Sequence, residues 1–304
     1  MYVVETQNLT KVYGGRAVVN KVNMHIPEGS IYGFVGENGS GKTTIMRMLT
    51  GIARPSEGSF QMFGVKNTDP KIYRKRKEIS AIVETVSLVP TMTAIDNMKY
   101  QELYLGIKLT NERRQELLQI VGLDKVGNKK VKNFSLGMRQ RMGIALALMN
   151  EPKFMLLDEP MNGLDPQGIA ELRDILIKIN REKNVTILIS SHILSELEKI
   201  ATVYGFISHG KIIEELTVEE LQDRCRKSTS IKFADVEQAY KVLRELNVQD
   251  FKTYPSGDVK IFDEIDLGEF VTKLNDKKLK IMAINSSDEG VEEYYLNLVK
   301  GGNR

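Results

Sequence analysis

The stretch GENGSGKTT, residues 36–44, decides how the rest of the chain is read. It fits the spacing G-x-x-x-x-G-K-[ST] from Gly36 to Thr43 and stands between a short apolar run, SIYGFVG, and a helix-like segment, GKTTIMRMLTG. A loop that leaves a buried strand and opens a helix is the context in which this spacing has physical meaning. Glycines at Gly36, Gly39 and Gly41 let backbone N–H groups turn inward around phosphate oxygens, and the helix N-terminus adds its positive end. Asn38, Ser40 and Thr44 belong to the same nucleotide-binding loop. Lys42 is expected to reach the β- and γ-phosphates, and the Thr43 hydroxyl to ligate Mg²⁺. A glycine-rich turn with a surface lysine would not need these flanks.

A second apolar run, KFMLLDEP, delivers Asp158 and Glu159 to the C-terminal end of a strand, where α/β sheets place their ligands. Asp158 suits Mg²⁺ through a water, and Glu159 suits holding a water for in-line attack on a γ-phosphate. An apolar strand that ends in acids is common; its pairing with the phosphate loop makes the reading specific. Just upstream, in NFSLGMRQRMGIALAL, Ser135 is placed to N-cap the following helix. With the backbone of Gly137 it offers a second phosphate-binding helix terminus. His192 ends the run VTILISS, from which it can face the γ-phosphate; a lone histidine there is otherwise a satisfied surface group. Finally, ISAIVETVSLVP (79–90) ends an apolar run with Glu84. A carboxylate at the end of a buried strand is costly unless something there needs a negative charge or a proton acceptor.

The chain has 304 residues, room for about two domains. Its formal charge of +3 is too small to argue for nucleic acid. The single cysteine, Cys225, excludes a disulfide framework and favours a reducing compartment. The N-terminus lacks the build of a signal peptide, and no apolar run approaches the ~18–20 residues of a membrane span. A cytoplasmic chain is expected, with any membrane supplied by other subunits.

SIYGFVG reads as a short buried strand, and the near-continuous apolar runs KFMLLDEP and VTILISSH read as strands buried on both faces of a parallel sheet. Alternating segments near the start (YVVETQNL, VVNKVNMHI) read as an antiparallel β subdomain, and residues 88–150 as a helical insertion. Past about residue 215 the texture changes to a βαββαβ order. There Val236, Ala239, Tyr240, Leu243 and Leu246 share a helical face, and PSGD turns a hairpin. The fold class is therefore α/β: a P-loop NTPase core over 1–215, plus a small ferredoxin-like α+β domain over 216–304. The basic runs KIYRKRK (71–77) and RCRK (224–227) read as solvated faces.

The ordered set GENGSGKTT, NFSLGMRQR, FMLLDEP, GLDP and SSH resembles the nucleotide-binding subunits of ATP-binding-cassette (ABC) transporters. The resemblance covers residues 1 to about 215. It implies a head-to-tail homodimer with two ATP molecules at the interface. Each would be held by the phosphate loop of one subunit and by Ser135 and Gly137 of the other. It further implies that Tyr13 stacks on adenine, that His192 contacts the γ-phosphate, and that Asp165 lies in a loop along the dimer interface. It places the chain on the inner face of the cell membrane, bound to separate permease subunits. The signature departs from the usual L-S-G-G-Q, with Leu136 and Met138 at its third and fifth positions. Glu84 stands where most of the family has Gln, at a loop that faces Mg²⁺ or the attacking water and the membrane subunit. That acid is similar to the ATPases of bacitracin-export and lantibiotic-immunity systems. The resemblance therefore implies the motor of a peptide-antibiotic exporter. Subunits that export lipid, polysaccharide or small drugs would look nearly the same, and an importer or a soluble ABC protein fits less well.

Overall fold

The computed structural model describes residues 1–225, 228–254, 256–263, 265–277, 279–287 and 291–301. They form two compact units, Met1–Val218 and Glu219–Lys300. Arg226 and Lys227 of the second basic run, and Pro255 of the hairpin turn, lie outside the described residues.

The first unit opens with β1 (Tyr2–Tyr13), β2 (Arg16–Val22), β3 (His25–Pro27) and β4 (Ile31–Val35), followed by α1 (Lys42–Thr50). Next come β5 (Glu57–Met62), β6 (Val65–Lys66), α2 (Ile72–Lys75) and β7 (Ile79–Ile82). Three helices follow, α3 (Ala94–Leu105), α4 (Asn111–Ile120) and α5 (Leu136–Leu148). The unit closes with β8 (Phe154–Asp158), α6 (Pro166–Lys183), β9 (Thr186–Ser191), α7 (Leu194–Leu197), β10 (Val203–Ser208) and β11 (Lys211–Thr217). One sheet runs β2-β1-β5-β6 with β3 on β1, all antiparallel. The other runs β11-β10-β4-β9-β8-β7, parallel except for β11. The run VVNKVNMHI is not one strand: it breaks between Val22 and His25, and both pieces pair with β1.

Every residue of β4, β8 and β9 is buried, as continuous apolarity requires of inner parallel strands. Helix α1 packs Ile45, Met46, Met48 and Leu49 into a core with Phe34, Phe154, Leu156, Leu188 and Ile207. Each such side chain contributes about 1.5–3 kcal/mol on burial. Glu215 on β11 ties the two sheets together. It accepts hydrogen bonds from Tyr32 Oη at 2.7 Å and from the His25 backbone N–H at 2.8 Å, and pairs with His25 Nδ1 at 2.8 Å. Burial first, and then the Glu215 charge, push the Tyr32 phenol well above its ordinary range, so it stays a neutral donor.

The second unit comprises α8 (Val218–Arg224), which begins on the boundary residue, β12 (Ser228–Phe233), α9 (Val236–Glu245), β13 (Phe251–Thr253) and β14 (Asp258–Ile261). It ends with α10 (Leu267–Asp276), β15 (Ile281–Ser287) and α11 (Val291–Gly301). The antiparallel sheet β13-β14-β12-β15 has the ferredoxin-like order. On α9 the buried positions are Ala239, Val242 and Leu243. Tyr240, expected inward, is exposed and lies against Phe251, with Arg244 beside both rings.

Within the helical region, Arg114 grips the buried Glu102 by two hydrogen bonds of 2.5 and 2.8 Å, joining α4 to α3. Those bonds hold the Glu102 carboxyl below the usual glutamate range. Its contribution is therefore complete above the unfolded value of about 4.3 and is lost as pH falls through the lower native value. Glu102→Gln should cost about 2 kcal/mol at neutral pH. The deficit should shrink as pH drops below about 4, measured by urea unfolding at a series of pH values.

Candidate functional site: a nucleotide cradle at three strand ends

Strand register builds this site. Asp158 pairs across from Ser190 and Val35 from Ser191, so β4, β9 and β8 end side by side on one sheet edge. The phosphate loop, the Ser190–His192 segment and the Asp158–Glu159 pair therefore start within one or two strand spacings of each other, about 5 Å apiece.

The loop holds its shape through close packing. A Cβ on Gly36 would lie 2.5 Å from the Ile207 carbonyl oxygen, and one on Gly41 would lie 2.8 Å from that of Val18. Gly41, at φ 110°, is the N-cap of α1 and supplies no side-chain hydrogen bond. Helices α3, α4, α5 and α6 are each capped by a side chain, from Thr93, Thr110, Ser135 and Asp165. The first N–H groups of α1 thus remain for an anion. The Ser40 hydroxyl beside them is buried without a hydrogen bond.

Lys42 is 5% exposed. Its ammonium donates to the carbonyls of Gly36 at 2.5 Å and Glu37 at 3.2 Å, and faces Glu159 Oε1 at 3.4 Å. Glu159, at φ 49°, pairs through its other oxygen with His192 Nδ1 at 2.7 Å. An ionised carboxylate only accepts, so that ring nitrogen carries the proton. Thr43 Oγ1 donates to Asp158 Oδ2 at 2.7 Å. Ser190, which the sequence reading did not single out, donates to Asp158 Oδ1 at 2.7 Å and accepts from the Glu159 N–H at 2.8 Å. Its signal was a serine pair closing a fully buried, largely apolar run. A metal fits this donor set: Thr43 and Asp158 offer hard oxygens, and the other positions around Mg²⁺ would go to phosphate and water oxygens. Among the described residues, no three His, Cys, Asp or Glu cluster to hold an ion by themselves.

The other candidates make no hydrogen bond with these side chains. Tyr13 closes β1 half-exposed, with Lys11 Nζ 4.8 Å from its ring centre. Ser135 accepts from the Met138 N–H at 3.2 Å, the expected cap of α5. Asp165 caps α6 through the Gly168 N–H at 2.8 Å. Glu84 makes no hydrogen bond to Thr43 or Asp158. It follows the edge strand β7, of which only Ile82 is buried, and it is itself 56% exposed. The buried-acid cost therefore does not arise, and its carboxylate pairs with Arg47 of α1.

A phosphate cradle facing two strand-end acids and a histidine defines a P-loop ATPase. The chain belongs to the ATP-binding subunits of ABC transporters. A family profile described as "ABC transporter" matches residues 19–162. The bacitracin transport ATP-binding protein BcrA of Enterococcus faecalis is 41% identical over 303 residues, spanning 99% of this chain and 97% of that protein. The lantibiotic transport ATP-binding protein SrtF of Streptococcus pyogenes is 46% identical over 213 residues, 70% of this chain and 90% of that one. A solved dimeric ATP-binding cassette in a post-hydrolysis state, bound to ADP and Pi, superposes with a TM-score of 0.63 at 25% identity. That match covers 71% of this chain and 98% of the cassette.

Ser190→Ala leaves Asp158 Oδ1 and the Glu159 N–H each short of a partner, at about 1–3 kcal/mol. The expected outcome is a fall in ATP turnover of about tenfold or more, with nucleotide affinity changed much less. Steady-state ATPase kinetics beside equilibrium nucleotide binding checks both.

Proposed function

We propose that the chain is the ATP-hydrolysing motor of an exporter of peptide antibiotics, of the bacitracin type. The observation that carries the motor reading is the convergence of Lys42, Thr43, Asp158, Glu159 and His192 on one sheet edge. In this reading the N–H groups of the loop and Lys42 bind the β- and γ-phosphates, and the ammonium gives up its carbonyl contacts to do so. Thr43 and Asp158 would hold Mg²⁺, which when bound would supply positive charge to the phosphate oxygens. Glu159 takes a proton from the attacking water as its oxygen bonds to the γ-phosphorus. The bond to the β–γ bridging oxygen breaks, and ADP and inorganic phosphate leave. His192 keeps Glu159 oriented and reaches toward the γ-phosphate.

The second half of each site belongs to a second copy in this reading. Gly137 supports it, because a Cβ there would meet only Leu164 at an ordinary 3.7 Å. The chain's own packing gives little reason for a glycine, whereas an approaching phosphate would. Asp165 would then border the neighbouring subunit, and Tyr13 would stack on adenine. Glu84 would serve the metal side of the site from the loop that also meets the membrane partner. Separate permease subunits would hold the motor on the inner face of the membrane. No helix among the described residues is long and apolar enough to cross one. A cleft of about 390 Å³ beside Glu84, lined by Ile82, Val86, Leu105 and Leu146, suits such a contact.

The cargo class rests on end-to-end likeness to a bacitracin transport protein, which extends through the C-terminal unit. The lantibiotic relative favours a second reading, although its likeness covers only 70% of this chain. Glu159→Gln should keep ATP binding, lose nearly all hydrolysis and accumulate as an ATP-dependent dimer on size-exclusion chromatography. Rapid turnover by that variant would remove Glu159 from its role. Co-expressed with its membrane subunits, the native chain should protect cells from bacitracin more than from lantibiotics. Lys42→Ala should abolish the protection.

A further inference from the structure

Glu84 reaches a cation that the site's chemistry does not otherwise use. It lies two residues past β7 at φ 71°, a left-handed conformation that a non-glycine residue adopts at a cost. Its carboxylate pairs with the Arg47 guanidinium. Arg47 stands on α1 four residues after Thr43, so the two side chains are neighbours on one helix face, about 5–6 Å apart at Cβ. The Thr43 hydroxyl in turn bonds Asp158. The segment after β7 is thus tethered to the phosphate-binding helix one turn from the metal-facing hydroxyl. Met46 and Met48 on either side of Arg47 are buried, while Arg47 itself stays 37% exposed at the surface of α1.

We infer that Arg47 is a positioning residue for Glu84, neutralising its charge and holding its segment in the left-handed turn. An amide at position 84 would carry no net charge and would need no such partner. A carboxylate tethered to the phosphate-binding helix repels a triphosphate bound at the N-terminus of that helix unless a cation travels with it, and Arg47 is that cation. Both partners are well exposed, so the pair is weak and salt-sensitive, an adjustable tether. The inference rests on reading Glu84 as part of the nucleotide site.

The test uses the full chain and two readouts: the KM for Mg-ATP, and equilibrium affinity for a non-hydrolysable Mg-ATP analogue. Arg47→Met, which keeps an apolar stem between two methionines, should weaken both by about two- to fivefold at low salt. The double variant Arg47→Met with Glu84→Gln should return to the values of Glu84→Gln alone, because the amide needs no counter-ion. A purely structural role for Arg47 would not be rescued by removing the acid. An unchanged affinity in Arg47→Met, or a double variant as impaired as Arg47→Met, overturns the inference. Should Arg47→Met not fold, the swapped pair Arg47→Glu with Glu84→Arg decides the matter. It should bind better than either single exchange, and failure to do so overturns the pairing. Loss of hydrolysis in the native chain would count against the motor reading alone, since the binding arm still reports on the pair.

Discussion

A lysine ammonium almost removed from solvent is the interaction on which the site depends. Taking such a charge out of water costs several kcal/mol unless it is paired and hydrogen-bonded. Here two carbonyls of its own loop and one carboxylate supply the compensation. The loop carbonyls must therefore point inward at Lys42, which requires the loop to fold back on α1. That fold is possible because Gly36 and Gly41 let the Ile207 and Val18 carbonyls approach more closely than a Cβ would allow. The partner carboxylate, Glu159, comes from a strand two places away in the sheet. One buried charge thus links loop, helix and sheet.

The sheet order explains why the chemistry gathers at one edge. Parallel strands leave their C-terminal ends on the same side, and β4, β9 and β8 are neighbours although far apart in sequence. Ser190, on the middle strand, bonds both to the side chain of Asp158 and to the backbone of Glu159. It fixes the metal-facing acid and the water-facing acid relative to one another. Glu159 adopts a left-handed backbone immediately after β8, which turns its side chain toward Lys42 and His192. Strain of this kind persists only where the surroundings over-determine it.

Much of this was legible in the sequence, and for local reasons. Continuous apolarity marked β4, β8 and β9, and glycine spacing marked the phosphate loop. Ser135 announced the start of α5. Each of these signals lies within a few residues of the feature it predicts. Reading failed where partners are distant. Tyr240 looked apolar enough for the inner face of α9, yet Val242 took that place and Tyr240 lies against Phe251 across the unit's surface.

Glu84 shows the boundary most clearly. The sequence by itself determined that an acid follows an apolar run after the phosphate loop, and the family resemblance implied a loop facing the nucleotide. It also determined the cradle's glycine spacing, the two strand-end acids and the βαββαβ order of the second unit's elements. Only the tertiary structure decided that β7 is an edge strand, that Glu84 is exposed, and that its partner is Arg47. The same holds for Ser190, whose two bonds cross between strands. Helix periodicity, strand burial and turn chemistry are properties of short segments, so residue order carries them. Side-chain pairing across a sheet depends on which strands become neighbours, and that is settled only when the whole core packs.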